Sequence, residues 1–464
     1  MKDALYSLLS PYGQQQVLAY WDQLAPGQQA ELARQIRALD LDRIARLYRG
    51  RNDLGNLRAL ADRAGPPPAF RLDAARNRFS PAQALQRGTE ALQAGQVGVL
   101  VVAGGQGSRL GFDHPKGMFP IGPVSGRTLF QIHVERILAL ARRHGVAIPL
   151  YLMTSPATHE ETIAFFAQHD RFGLPAEDLR IFCQGTMPAV DAATGKLLLD
   201  APGRLATSPD GHGGMLAAFA RSGALTDAQR RGIRQLFYFQ VDNPLVDICG
   251  APYIGYHLLS GSEMTSQVIA KRTPLEKVGN VVEVDGRLMV IEYSDLPDDV
   301  ASRRNPDGTL AVWAGSIAVH VLDVAFLARM AGSAEGLPFH VAHKKVAFLD
   351  ADGRRVEPSK PNAIKFERFI FDLMPAAAHA IVIEVDPATA FGPLKNASGA
   401  TYDTPETVRA QMVALHRQWL GDAGVEVADG VPVEISPLFA WDAEALAGKV
   451  RPGTRVTQPT YFSA

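Results

Sequence analysis

Val97-Gly98-Val99-Leu100-Val101-Val102-Ala103-Gly104-Gly105-Gln106-Gly107-Ser108-Arg109-Leu110-Gly111 is the stretch on which the reading of this chain turns. Its first seven residues are apolar and largely β-branched, the composition of a short buried strand. Glycines crowd the exit from that strand, where backbone N–H groups with no side chain in the way suit the oxygens of a phosphate. Arg109 and, after Pro115, Lys116 add charge that backbone dipoles alone do not supply. A glycine turn that merely joined a strand to a helix would need neither cation. The segment is therefore expected to cradle the phosphates of a nucleotide. It is not a dinucleotide fingerprint, because after Gly105 and Gly107 the next glycine, Gly111, comes one residue too late. Nor is it a Walker loop, because Lys116 stands between Pro115 and Gly117 rather than before Ser or Thr.

Outward from this loop, apolar runs alternate with amphipathic segments. Leu150 to Met153, Leu179 to Cys183, Leu236 to Val241 and Gln267 to Ala270 are expected strands. Strands separated by helices imply a mostly parallel α/β sheet covered on both faces. Val281 to Val284, Asp285-Gly286 and Leu288 to Tyr293 predict an antiparallel hairpin. Upstream, Leu32, Ile36, Leu39, Ile44 and Leu47 recur at helical spacing, so residues 1 to about 63 form a helical leader. Ala64-Gly65-Pro66-Pro67-Pro68 cannot continue a helix and is expected to be a linker. Downstream, Pro405 to Leu420 predicts a helix and Val431 to Ile435 a short strand. The expected division is a helical N-terminal region (1–90), a central α/β domain (91–398) and a small β-rich C-terminal domain (399–464).

Composition narrows the function classes. The chain has 464 residues, 47% of them hydrophobic and 20% charged, enough for a full core in more than one unit. No apolar run approaches the ~20 residues of a membrane span. The opening Met1-Lys2-Asp3-Ala4 leads into mixed, Gln-rich sequence with no charged-then-apolar signal pattern, so the cytoplasm is the expected compartment. Cys183 and Cys249 are too few for a disulfide framework or a cysteine-type zinc site. A net charge of -1 without a basic run gives nucleic acid no electrostatic footing.

In a doubly wound sheet, ligands gather at the carboxyl ends of the strands. Asp242-Asn243 closes one such strand, and a carboxylate there suits Mg²⁺ held against a triphosphate. An Asx turn or helix cap explains the same two residues equally well. Ser208-Pro209-Asp210-Gly211-His212-Gly213-Gly214 is a second glycine loop, in which His212 reads equally as a hydrogen-bonding turn residue. Gln184-Gly185 follows the strand ending at Cys183, and a carboxamide has the donor and acceptor that reading a uracil edge requires, although an ordinary loop glutamine explains it equally well. Glu292-Tyr293, Lys365 and Lys395 complete the polar residues in apolar settings, though a single lysine is more often solvated than catalytic.

Taken in order, these motifs resemble the eukaryotic-type UDP-N-acetylhexosamine pyrophosphorylases, within the wider UTP-sugar-1-phosphate uridylyltransferases. The resemblance rests on Val102 to Gly111, Pro115-Lys116-Gly117-Met118, Thr128 to Ile132, Gln184-Gly185, Pro209-Asp210-Gly211, Val241-Asp242-Asn243, Val290 to Ser294, Lys360-Pro361-Asn362 with Ile364-Lys365, Pro393 to Asn396 and Glu434 to Leu438. It runs unbroken from about residue 95 to the end. It implies a Rossmann-like sheet of the nucleotide-diphospho-sugar transferase type, with UTP and a sugar-1-phosphate as substrates and Mg²⁺ as cofactor. By the same resemblance Ala103, Gly104, Gly105, Gln184 and Gly211 meet the uridine, Lys116 and Lys365 bind UTP, and Asp242 serves the nucleotide or metal. Glu292 and Tyr293 would bind the sugar, and Lys395 the substrate phosphate. Arg109, Lys116 and Lys395 are the candidate catalytic cations. The implied reaction is in-line attack of a sugar-1-phosphate oxygen on the α-phosphorus of UTP, driven by positioning and cationic stabilisation with no protein nucleophile.

Two positions depart from the family pattern, both on the sugar side. After Pro209-Asp210-Gly211 the family commonly has Asn, and here His212 follows; its Asn-Ala-Gly-Asn-Ile is Trp313-Ala314-Gly315-Ser316-Ile317 in this chain. N-acetylglucosamine-1-phosphate is the expected substrate. Glucose-1-phosphate, or a broad range of sugars, is the alternative. A non-catalytic nucleotide-sugar sensor on the same fold is expected to lose Arg109, Lys116, Asp242 or Lys395, and all four are present.

Overall fold

The computed structural model describes residues 1–51, 57–333, 336–350 and 352–463, so residues 52–56 of the expected leader lie outside it. Its chain forms two compact units. The smaller comprises Met1–Ala59, Gln184–Met215 and Glu335–Asp372; the larger comprises Leu60–Cys183, Leu216–Ala334 and Leu373–Ala464. Both are assembled from segments far apart in sequence, whereas the sequence reading divides the chain into consecutive blocks.

The larger unit is organised on a ten-stranded sheet. We number its strands β1 (Ala69–Phe70), β2 (Val97–Val102), β3 (Leu150–Thr154), β4 (Leu179–Cys183), β5 (Gln235–Gln240), β6 (Met264–Ala270), β7 (Gly279–Val284), β8 (Arg287–Ile291), β9 (Ala314–Asp323) and β10 (Ala380–Glu384). They lie in the order β1-β10-β6-β9-β5-β2-β3-β4, with the β7–β8 hairpin joined to β9. The pairings are parallel except around β9, which runs antiparallel to both β5 and β6, and in the hairpin. The hairpin turn has Asp285 at φ +51° and Gly286 at φ +77°, as a two-residue turn of this hand requires. Side chains alternate between faces along each strand. Val97, Val99 and Val101 enter an apolar core with Ala91, Phe130, Ile137, Ile254 and Met412, from helices Pro81–Gln93, Leu129–His144, Ala251–Leu259 and Pro405–Asp422. The opposite face is also covered: the buried Tyr151 packs edge-on to Phe219 at 5.2 Å and donates its hydroxyl to Asp227 at 3.0 Å. Burial on both faces is why these strands read as continuous apolar runs.

The proline-rich stretch ends the helices as expected but is not a loose linker. Gly65 exchanges both backbone hydrogen bonds with Glu283, at 2.9 and 3.0 Å, and the chain enters β1 four residues later. The C-terminal segment has a small core of its own, with Leu420, Val425, Val433, Ile435 and Leu446, under the short parallel strands Val433–Ile435 and Thr460–Phe462.

In the smaller unit the helices Lys2–Leu9, Pro26–Arg37 and Leu41–Arg49 do not bury their apolar faces on one another alone. Leu32, Ile36 and Ile44 share a core with Val190, Leu197, Ile364 and Phe366. Val190, Ile364 and Phe366 belong to a three-stranded sheet of Val190–Asp191, Ala363–Glu367 and His340–Lys344. The leader's partners are thus supplied by residues about 150 to 330 positions away in the chain.

Candidate active site

The glycine loop leaves β2 at the carboxyl edge of the sheet of the larger unit. Ala103 is buried, and its N–H continues the ladder to the Met153 carbonyl at 2.7 Å. The Ser155 hydroxyl then donates to the Gly104 carbonyl at 2.7 Å, anchoring the first residue of the loop. Gly105, Gln106, Ser108 and Arg109 are exposed, Arg109 on the single 3-10 turn Ser108–Leu110. The loop folds back on itself, with Gly107 N–H donating to His114 and Lys116 N–H to the Gly105 carbonyl at 3.0 Å. That return brings Lys116 beside the loop. Gly117 follows in the 3-10 turn Lys116–Met118 and lies flat on the buried Phe130 ring, where any Cβ would overlap the ring. Lys116 is therefore held from beneath by a residue the sequence reading did not single out.

Asp242 stands at the end of β5, immediately beside β2. Its carboxylate meets the Lys116 ammonium at 3.3 Å, with both side chains largely buried. Of Asp242 and Asn243, Asn243 is the one in a turn. Asn243 makes the Asx turn, accepting the Leu245 N–H at 3.2 Å, and also binds the Ala390 carbonyl and the Gly392 N–H. Asp242 keeps its carboxylate for Lys116. Asn243 thereby pins the loop Phe391 to Lys395 to the end of the sheet, and Leu394 N–H donates to the Asp242 carbonyl at 2.8 Å. The exposed Lys395 follows, its N–H tied to the Asp403 carbonyl at 2.9 Å. Burial raises the Asp403 carboxyl above its ordinary range; Lys395 opposes the shift and Asp242 reinforces it. Lys116, Asp242, Lys395 and Asp403 form one cluster of alternating charge at the carboxyl edge.

On the same edge the antiparallel direction of β9 matters. It places the start of that strand, Ala314-Gly315-Ser316, beside the end of β6. Gly279 of the hairpin sits between Ser316 and Glu292: a Cβ there would lie 3.3 Å from Glu292 Oε1 and 3.9 Å from Ser316 Cβ. Glu292 and Ser316 thus flank one backbone position, while Tyr293 is exposed. The Ser316 hydroxyl oxygen accepts the Ala318 N–H at 3.3 Å. Lys271, at the end of β6, was not singled out either. It is 7% exposed and donates to Asn280 Oδ1 at 2.6 Å and to the Pro274 carbonyl at 3.1 Å; burial brings its pKa down to about 8. The strand-end position that drew attention to Asp242 could have identified it.

In the smaller unit Gln184 is buried and Gly185 accepts the Asp210 N–H, joining Thr186–Pro188 to Thr207–Pro209. Gly211 has φ +82° and packs so closely on the Arg368 backbone that a side chain would collide with it. His212 makes the kind of turn contact that the alternative reading describes. Its Nδ1 accepts the Ile370 N–H at 3.2 Å, and its ring stacks on Phe369. Burial, with His340 adding to it, lowers the His212 pKa to about 4, so at neutral pH the ring is uncharged with its proton on Nε2. Lys365 lies half-buried on the strand Ala363–Glu367, opposite Ala342.

A Rossmann-like sheet with a glycine loop, a lysine and a strand-end aspartate at its carboxyl edge is the frame of a nucleotidyltransferase, and comparison with known proteins agrees. Residues 73–416 match the model of the UTP–glucose-1-phosphate uridylyltransferase family. The chain is 36% identical over 468 residues to UDP-N-acetylhexosamine pyrophosphorylase-like protein 1 of Xenopus tropicalis, covering 94% of this chain and 91% of that one. It is 39% identical to the UDP-N-acetylglucosamine pyrophosphorylase of Saccharomyces cerevisiae over 373 residues, 78% of each chain. The crystal structure of the uridine diphosphate N-acetylglucosamine pyrophosphorylase of Trypanosoma brucei, in complex with an inhibitor, superposes with a TM-score of 0.81 at 25% identity, covering 100% of this chain and 98% of that one. The chain belongs to the UTP-sugar-1-phosphate uridylyltransferase family and is a nucleotidyltransferase. Among the described residues no helix is long and apolar enough to cross a membrane.

Proposed function

We propose that this enzyme forms UDP-N-acetylglucosamine and pyrophosphate from UTP and N-acetylglucosamine-1-phosphate. The observation that carries the reading is the contact of Lys116 with Asp242 beneath the glycine loop, with the Lys395 loop hydrogen-bonded to the Asp242 backbone. The loop backbone receives the UTP phosphates, Lys116 and Arg109 balance their charge, and Lys395 holds the incoming sugar phosphate. As negative charge spreads over the reacting phosphoryl group, these cations stabilise it without reorganising. No side chain is assigned as a nucleophile. Glu292, Tyr293 and Ser316 contact the sugar. For the smaller unit we assign Gln184 and Gly211 to the uracil and Lys365 to UTP.

Among the described residues no group of three or more His, Cys, Asp or Glu side chains could hold a metal by itself. Mg²⁺ does not need such a cage, since it binds through one or two carboxylates together with substrate phosphates and water. Asp242, with Asp403 near it, suits that mode, and a bound Mg²⁺ would neutralise phosphate charge. Activity is expected to vanish in excess chelator and return with added Mg²⁺; full turnover without metal would remove this assignment.

The two departures on the sugar side favour a broadened specificity. The Ser316 oxygen and His212 Nδ1 each already accept a backbone N–H from their own unit. A site that rejects an analogue strongly does so because its buried polar groups are left unpaired, and these two groups are not. N-acetylglucosamine-1-phosphate is therefore the best substrate, with measurable turnover of glucose-1-phosphate. A panel of sugar-1-phosphates assayed with UTP and Mg²⁺ for pyrophosphate release tests this. Exclusive use of glucose-1-phosphate would reverse the assignment.

A further inference from the structure

Glu434 lies on the C-terminal strand Val433–Ile435, 3% exposed, and has no place in the chemistry above. Its carboxylate reaches the loop that leaves Lys116. Oε2 accepts the N–H groups of Val124 and Ser125 at 2.8 and 2.7 Å, and Oε1 accepts the Ser125 hydroxyl at 2.7 Å. The Ser125 oxygen in turn receives the Arg127 N–H at 3.1 Å. Arg127 pairs with the buried Glu135 and carries its guanidinium 4.9 Å from the Tyr461 ring. Arg409, on the helix Pro405–Asp422, donates to the Pro120 carbonyl at 2.7 Å. Residues from 409 to 461 thus hold the loop 119–128 at its base, its tip and its return.

That loop is the covalent connection between the Lys116–Met118 turn and the helix Leu129–His144, whose Phe130 backs Gly117. Phe119 N–H donates to the Lys116 carbonyl, and Leu129 N–H to the Phe119 carbonyl. A shift of the tip therefore passes along hydrogen bonds to Lys116, whose ammonium faces the Asp242 carboxylate. A buried carboxylate that accepts two backbone N–H groups and a hydroxyl makes charge-assisted bonds, stronger than a neutral side chain would make there.

We propose that Glu434 is a positioning residue: through the loop 119–128 the C-terminal segment fixes Lys116 against Asp242 for UTP. The proposal rests on the assignment of Lys116 to UTP.

The test is a double-mutant cycle on pyrophosphate release, with thermal melting and near-ultraviolet circular dichroism recorded for every variant. Glu434→Ala is expected to lower kcat by tenfold or more at saturating substrates while the KM for the sugar-1-phosphate stays within twofold. Glu434→Gln, which keeps one oxygen for the two N–H groups, should recover most of the loss. Ser125→Ala should lie between Glu434→Gln and wild type, and these two variants decide the question if Glu434→Ala does not fold. In a Lys116→Ala background the same substitutions should cost less than twofold further, since groups acting through one another are not additive. Losses that multiply independently in the Lys116→Ala background, or a folded Glu434→Ala within threefold of wild type, overturn the proposal. A wild-type enzyme that releases no pyrophosphate from UTP with any sugar-1-phosphate would instead overturn the functional reading on which it rests.

Discussion

Lys116→Ala separates the catalytic role of this lysine from its structural one. Its ammonium faces Asp242 at 3.3 Å, with the side chains 17% and 12% exposed. Truncation leaves Asp242 near the Asp403 carboxyl, on which Lys395 and Arg272 also act. A fully buried ion pair broken on one side costs about 3–5 kcal/mol, and one with some access to water should cost less, of order 1–3 kcal/mol. Gly117 and Phe130 still define the turn, so the fold should survive with a lowered melting temperature. Turnover should fall much further. Removing one preorganised donor from the charge that develops in the transition state typically costs ~10²–10³ in kcat, about 2.7–4 kcal/mol of barrier. The assay is coupled pyrophosphate release at saturating UTP and N-acetylglucosamine-1-phosphate, normalised to folded protein by circular dichroism. A folded Lys116→Ala with kcat within threefold of wild type would refute the argument.

Three further outcomes follow from other parts of the molecule. Helices Pro81–Gln93 and Ala251–Leu259 touch backbone to backbone at Gly88 and Gly255, where a Cβ would overlap the Ala251 and Ala84 carbonyl groups; Gly255→Ala should cost about 3 kcal/mol or more in denaturant unfolding, with kcat per folded molecule unchanged. Burial lowers the pKa values of His133 and His212 to about 4 and of His257 and His416 to about 3, so the unfolded chain binds these protons first as the pH falls; their contribution to stability is complete above about 6.5 and is lost as the pH falls toward 4 and below. Melting curves from pH 7 to pH 5 should show a steady fall, of order 1–2 kcal/mol per histidine by pH 5, and a flat profile would contradict the burial argument. His212→Asn together with Ser316→Asn should raise the preference in kcat/KM for N-acetylglucosamine-1-phosphate over glucose-1-phosphate, and an unchanged ratio would remove both residues from sugar selection.

Local composition announced the strands that are buried on both faces. Val97–Val102, Leu150–Thr154 and Gln235–Gln240 appear as apolar runs because both faces are buried, whereas the edge strand Leu179–Cys183 exposes Arg180. β9 was not legible. It opens with Ala314-Gly315-Ser316 and has Ala318 at φ +56° in an irregular register against β6, so no simple period marks its start. Missing it concealed why Ser316 shares an edge with Glu292. The edge position of Asp242 was visible from its strand, but its partner was not, since the 126 residues that separate Lys116 from Asp242 are bridged only by folding. Phe130 and Glu434 stood inside family motifs, yet the contacts that give them a role, Phe130 under Gly117 and Glu434 on Val124 and Ser125, form only on folding. Lys271 had the strand-end signal that marked Asp242, and its burial was what the sequence did not show. The leader shows the converse. Its helical period was plain, yet its core is completed by residues at 190 and 364–366, which local patterning cannot assign to it.

On the proposed reading this chain transfers a uridylyl group from UTP to the phosphate of N-acetylglucosamine-1-phosphate in one displacement. Phosphorus-31 nuclear magnetic resonance of the wild-type enzyme with UTP, Mg²⁺ and that sugar phosphate tests it, together with labelled pyrophosphate exchange in the absence of sugar. UDP-N-acetylglucosamine and pyrophosphate should form in equal amounts, with no label entering UTP until a sugar-1-phosphate is present. UTP left unchanged beside N-acetylglucosamine-1-phosphate, or exchange without any sugar, would contradict it.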